Sequence, residues 1–327
     1  MKLQLKFGLF LSAISFLSFI SYAQAEPKVV VSIKPLHSLV SFVMDGVGSP
    51  DILVDGSSSP HTFQLKPSHA TLLQESDIVF WIGEDLESFL ETPLESIAKN
   101  AKKIELMKSD EIELLKFREK NIFGGHDDHD EHEGHDDHDE HADEHGDEHD
   151  EHEGHDGHAH GEHDIHFWLD PEIAKTIVTI VARELSEIDS ANAAAYKSNS
   201  IKALNDIDQL ISDTKSKINS NASYVVFHDA YQYFEKRFGV EVVGALTVNP
   251  EVLPGAKQLA EIREAIEHEN VNCLFSEPQF NPSIAETIAK DTGVKAAVID
   301  PLGAELDPGK DLYFDMIGNI ATSFESC

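Results

Sequence analysis

Thirteen of the chain's 19 histidines fall between His126 and His163, two to four residues apart, with Asp and Glu filling the gaps. Neutral imidazole is the commonest protein ligand for zinc, copper and nickel, and the interleaved carboxylates add oxygen donors. The tract therefore announces transition-metal binding. It is also repetitive and has no preferred set of four ligands, so it should take several ions weakly and select among them poorly. A tight, selective site needs ligands held by a rigid frame, and three other histidines sit where a frame could hold them. His61 lies in the loop Ser59-Pro60-His61, after an apolar stretch ending at Val54. His166 begins His166-Phe167-Trp168-Leu169-Asp170-Pro171, where the chain leaves the tract and returns to apolar sequence. His228 directly follows Tyr224-Val225-Val226-Phe227.

The elements that must position these residues alternate. Val29–Ile33, Asp51–Val54, Asp77–Ile82 and Lys103–Leu106 read as short apolar strands in the first half, with helical patterns such as Ser68–Glu75 and Leu86–Lys99 between them. The second half repeats the scheme. Tyr224–Phe227, Glu241–Val243, Val271–Phe275 and Ala296–Ile299 read as strands, with helical runs over Tyr231–Phe238, Gly255–Glu269 and Pro282–Thr292. Strands alternating with helices imply parallel sheets. The predicted fold is α/β: two lobes, each a mainly parallel sheet flanked by helices. The lobes span residues 26–189 and 222–327, and one long rigid helix over 190–221 bridges them. That segment has no Gly or Pro, carries Ile201, Leu204, Ile207, Leu210 and Ile211 at helical spacing, and offers Ser190 as a cap. The stretch 121–165 interrupts the first lobe. With almost no apolar residues it cannot offset its own ordering entropy and is expected to be a mobile loop. In open α/β sheets ligands bind at the carboxyl edge of the strands, which is where His228 falls.

The first 25 residues read as an export signal. Lys2 and Lys6 precede the apolar run Phe7–Ile20, and Ala23-Gln24-Ala25 supplies the small residues of a cleavage site after Ala25. The run is shorter than the roughly 20 residues that span a bilayer, and no cysteine follows it to carry a lipid. No later segment is long and apolar enough to cross a membrane, so a soluble protein outside the cytoplasm, in the periplasm, is expected. The formal charge is −35, but 19 of the 60 carboxylates lie between Asp127 and Asp164, and the remaining 41 against 25 basic residues leave −16. That balance argues against nucleic acid or an anionic membrane as partner and suits attraction of cations. Cys273 and Cys327 are the two cysteines. In an oxidising compartment they should pair and tie the C-terminal tail to a strand, a closure worth about 4 kcal/mol in chain entropy.

Four segments carry a resemblance. Pro60-His61-Thr62-Phe63-Gln64-Leu65-Lys66-Pro67-Ser68, His166–Pro171, Phe227-His228-Asp229-Ala230-Tyr231 and Ile299-Asp300-Pro301-Leu302-Gly303 resemble metal-specific periplasmic substrate-binding proteins. The likeness runs in order from about Lys28 to Cys327 and is nearest to the zinc-binding component of high-affinity zinc ABC importers (ZnuA-like), which often carry a His-rich acidic insertion here. It implies two α/β lobes bridged by a long helix, a monomer that hands its ion to an ABC importer membrane permease, and ligation by His61, His166 and His228. Manganese-binding relatives usually have a carboxylate where this chain has His228. Imidazole suits zinc better, so zinc is the expected ion. For the fourth ligand the resemblance offers Asp300 or water, and the tract could lend a histidine. A glutamate directly before the first histidine, used by some zinc-type relatives, is absent because Pro60 stands there. Glu277, at the end of the strand through Cys273, could orient a ligand from behind but reads first as an ordinary edge carboxylate, and His37, His69 and His268 read as ordinary helix residues. Two other classes compete with the receptor. A zinc enzyme would also use three histidines and an open position, but no His-Glu-x-x-His or nucleophile motif is present. A storage protein working through the tract alone would leave two elaborate lobes without a purpose.

Overall fold

The computed structural model describes residues 26–118, 120–123, 161–219, 222–250 and 252–327. The leader, and the tract from residue 124 to 160, lie outside the described residues. Two parallel four-stranded sheets carry the fold. The first is built from β1 (Val29–Ile33), β2 (Asp51–Val54), β3 (Ile78–Trp81) and β4 (Lys102–Glu105), in the order β2-β1-β3-β4. The second uses β5 (Ser223–His228), β6 (Glu241–Thr247), β7 (Cys273–Ser276) and β8 (Lys295–Val298), in the order β6-β5-β7-β8. Both sheets thus share one topology, and in each the strand order reverses beside the first strand, the place where such sheets open a crevice. β1 and β3 are buried along their whole length, as expected for parallel strands covered on both faces.

The crossovers are α1 (Lys34–Val43), α2 (Pro67–Glu75) and α3 (Glu91–Ser96) in the first lobe. After them come α4 (Pro171–Ile188) and α5 (Ala193–Lys217), then α6 (Gln232–Phe238), α7 (Ala256–His268), α8 (Ser283–Thr292) and the C-terminal α9 (Leu312–Glu325). Two helices, α4 and α9, go beyond the sequence expectation, and one falls short of it. The helix anticipated over Leu86–Lys99 is a single turn at Ser88–Leu90 followed by the short α3. Pro93 explains the break, since it lacks an N–H for a turn begun further upstream and its ring crowds residue 89. The bridging helix starts later than expected, with Asn192 rather than Ser190 at its N-cap. Its 25 residues extend roughly 37 Å.

α5 packs against α4, α1 and α9. Its Asn199 amide donates to Val43 O and Asp45 O, tying it to the end of α1. α9 closes the other side. Tyr313 N donates to Ser38 Oγ on α1, while Tyr224 Oη of β5 donates to Phe324 O. A single cluster of buried residues consequently runs from Val31 and Leu36 through Ile177, Tyr196 and Ile207 to Val226, Phe275 and Phe324. The two lobes share this core. Cys273 and Cys327 are bridged, with Cα atoms 5.8 Å apart, as their number and the exported context predicted.

The loop expected over 121–165 is fixed at both roots. Residues 115–117 run antiparallel to 162–164, with Phe117 N donating to Glu162 O and Asp164 N to Leu115 O. Asn121, Ile122 and Phe123 then lie along the outer edge of β6, with Ala245 N donating to Asn121 O and Phe123 N to Val243 O. A segment of the first lobe thereby covers an open sheet edge of the second, for which exposed strands otherwise need protection.

Candidate metal centre

Each of the three histidines is delivered by the end of an element. His61 sits in a turn, Pro60–Thr62, in the segment that follows β2. His166 precedes the turn Phe167–Leu169, whose three side chains are all buried. Trp168 Nε1 donates to Pro301 O at 2.9 Å and Tyr313 Oη to Trp168 O at 2.8 Å, so the turn is held from both sides. Asp170 then caps α4 by accepting from Glu172 N, with Pro171 in the first turn where its missing N–H costs nothing. His228 is the last residue of β5, the central strand beside the reversal point.

One ligand atom from each of His61, His166 and His228 lies within 4.8 Å of the others. The Nε2 atoms of His166 and His228 are 3.3 Å apart. Two nitrogens bound about 2.05 Å from one tetrahedral zinc would stand roughly 3.3 Å apart. Their other ring nitrogens are spoken for. His166 Nδ1 is 2.8 Å from Asp164 Oδ1, and His228 Nδ1 is 2.8 Å from Glu277 Oε1. In its ionised form a carboxylate can only accept, so with Asp164 and Glu277 in that form each Nδ1 carries the proton and each Nε2 turns a lone pair toward the same point. Two lone pairs aimed at one spot repel unless a cation lies between them. Burial, and then the neighbouring His228, hold His166 well below the ordinary imidazole value, which keeps it in the ligating form. The space among the imidazoles, Trp168, Gln279 and Phe280 amounts to about 10 Å³, room for one water-sized occupant.

A buried charged layer backs the site. Arg118 donates to Asp229 Oδ1 at 3.1 Å and to Glu235 Oε2 at 2.7 Å, and stacks 4.1 Å above the Phe123 ring. Burial pushes the carboxyls of Asp164, Asp229 and Glu235 up to about 7 in each case, with Arg118 pulling the other way. Arg118 and Phe123 belong to the strap that leads into the histidine tract, so the tract's root is anchored next to His228.

The structure brings together three of the four residues expected to ligate and leaves the fourth aside. Asp300 is absent from the group. Its Oδ1 accepts from Leu302 N, Gly303 N and Gln279 Nε2, and its Oδ2 from Ala304 N. That carboxylate organises the turn after β8, with Oδ1 fully engaged and Oδ2 holding Ala304 N. Glu277, for which the sequence left an orienting role as the second reading, bonds His228 Nδ1 and so takes that role. Its signal was its place at the end of β7, the strand next to β5 in a parallel sheet. Asp164 carried no such signal, because it stands among 18 other carboxylates of the tract. His37 faces Pro50 O, His69 caps α2 through Lys66 N, and His268 is exposed near Glu264, all outside the group.

The profile of the family described as "Zinc-uptake complex component A periplasmic" matches residues 29–327. The Brucella abortus (strain 2308) protein named "High-affinity zinc uptake system protein ZnuA" is 45% identical over 311 residues, 94% of this chain and 93% of that relative. Among solved structures, one described as "Crystal structure of ZnuA" has a TM-score of 0.72 at 21% identity, covering 93% of this chain and 99% of the other. A "138-173 ZnuA deletion mutant plus zinc bound" has a TM-score of 0.71 at 20% identity, over 92% and 98% of the two chains. At such identities the structural likeness speaks for the two-lobed fold.

Proposed function

The chain belongs to the family of the periplasmic zinc-uptake complex component A, and from that premise we propose that it captures Zn²⁺ outside the cytoplasm and delivers it to the membrane permease of an ABC importer. The observation that carries this reading is the pair of imidazoles at 3.3 Å, each locked by a carboxylate so that both Nε2 lone pairs meet, with His61 completing the trio. Zinc fits this donor set better than manganese, which favours oxygen. The ion is cargo. The space of about 10 Å³ among the imidazoles is the size of a single ion, and the sequence has no His-Glu-x-x-His motif, which favours a receptor over a hydrolytic enzyme. Among the described residues no helix is long and apolar enough to cross a membrane. A leader cleaved after Ala25 and a monomeric mature protein complete the reading. The first lobe would occupy 26–189 and the second 222–327, with the helix between them as a stiff spine. The tract over 121–165 acts as an accessory collector, several weak sites feeding one tight one.

Zinc and manganese titrations of the mature protein, and of a form lacking residues 124–160, test this. One tight zinc site should survive the deletion while the weak ones vanish. His61→Ala, His166→Ala and His228→Ala should each abolish the tight site and spare the weak ones. A tight site that disappears with the tract, or one indifferent to all three substitutions, would sink the reading.

A further inference from the structure

Three imidazoles fill three corners of a tetrahedron and leave one open. Two neighbouring carboxylates already hold other groups. Asp300 accepts from three backbone N–H groups and from Gln279, and Glu277 holds His228. Among the described residues, three side chains against the cavity keep a buried oxygen without a hydrogen-bond partner, Ser59 Oγ, Glu277 Oε2 and Gln279 Oε1, and of these Gln279 supplies the neutral one that can only accept. Its Nε2 donates to Asp300 Oδ1 at 2.8 Å, which settles which end of the amide faces which way. Its Oε1 is buried and has no hydrogen-bond partner among the described residues. A buried acceptor in this state needs a donor, and Gln279 borders the same cavity as the three imidazoles.

We propose that Gln279 is a positioning residue for ion capture: its Oε1 accepts a hydrogen bond from a water that completes the coordination of the ion held by His61, His166 and His228. This rests on the reading of that trio as the zinc site. Asp300 then acts through Gln279. By taking the amide N–H it aims the oxygen at the cavity, and by gathering Leu302, Gly303 and Ala304 it holds the neighbouring turn whose Pro301 O receives Trp168. The arrangement also bears on selectivity. A neutral amide holding a water adds no hard anionic oxygen to the ion's own shell, so the site stays three nitrogens and a water. That set suits zinc and serves manganese poorly. Gln279 is a contact of the water, and its role is placement of that ligand, in the way that outer groups tune metal sites.

The test uses the mature protein with Gln279→Leu, which keeps the bulk and removes the acceptor, and His228→Ala beside it. Zinc affinity is read by competition with a chromogenic chelator, coordination by the visible absorption of the cobalt-loaded protein, and folding by the melting temperature of the metal-free form. The expected result for Gln279→Leu is a loss of zinc affinity of about tenfold or more, with an altered cobalt spectrum. The metal-free melting temperature should change little, because the variant removes an unpaired buried acceptor and leaves Asp300 its three backbone donors in exchange for the lost Gln279 N–H. Unchanged affinity and spectrum in Gln279→Leu, with His228→Ala devoid of tight binding, would overturn the role of Gln279 alone. An affinity loss matched by a drop in metal-free melting temperature, with the cobalt spectrum unmoved, would also overturn it and leave a packing role. Tight binding that persists in His228→Ala would overturn the underlying site as well.

Discussion

His166 and His228 reach the centre through side chains that each have one correct orientation, and a buried carboxylate sets it. Removing that carboxylate should cost affinity without removing a ligand. Asp164→Ala and Glu277→Ala are each expected to weaken zinc binding by about 10- to 100-fold, measured by chelator competition. Glu277→Gln should cost less, since an amide oxygen still accepts from His228 Nδ1. A different buried acid governs the protein's response to pH. Glu87 is fully buried, accepts from Ile82 N and Gly83 N, and is pushed by burial up to about 7. A carboxyl raised in the folded state binds its proton more tightly there than in the unfolded chain. Its contribution to stability is therefore complete below the unfolded value near 4.5 and lost as pH rises through about 7. Urea unfolding of the metal-free protein and of Glu87→Gln at several pH values should show this difference in slope. Between about pH 5 and pH 8 the parent should lose on the order of 2–3 kcal/mol relative to the variant.

Among the elements, the strap over Asn121–Phe123 is the one whose place depends on a missing side chain. A Cβ at Gly244 would stand 2.6 Å from Asn121 O, closer than carbon and backbone oxygen can approach. Gly244→Ala should push the strap off β6. Faster hydrogen exchange at the Phe123 and Ala245 amides, with stability lower by about 1–3 kcal/mol, is the expected outcome. Helices α6 and α8 were legible because each ends on a glycine in the left-handed region, Gly239 at φ 71° and Gly293 at φ 77°. The strands were legible from their apolar runs and turn residues. The strap was not. Asn-Ile-Phe before a polar tract has no periodicity, and pairing with β6 across more than a hundred residues leaves no local trace.

Over the whole molecule, one shared core and one disulfide decide how the lobes stand. The bridge joins the first residue of β7 to the chain's last residue. The histidines lie at the opposite, carboxyl end of that sheet. The double variant Cys273→Ser/Cys327→Ser should therefore unfold at lower denaturant, by up to about 4 kcal/mol, and bind zinc as before. A parallel loss of zinc affinity would mean that the bridge strains or steadies the site from afar. The core that passes through α4, α5 and α9 makes the lobes one packed body, so capture is expected to proceed without wide opening.

The sequence by itself determined the metal chemistry, the two parallel α/β units and the trio His61, His166 and His228. These depend on residue type, on strand and helix periodicity and on position at element ends, all of which are local. Only the tertiary structure decided the remainder of the site. It gave the Asp300 oxygens to a backbone turn and to Gln279, put Asp164 and Glu277 behind the imidazoles, and placed Gln279 along the same cavity. Carboxylates and amides look alike along a chain. Which of them meets a ligand depends on the groups that distant strands bring within about 3 Å, and that is settled only when the strands pack.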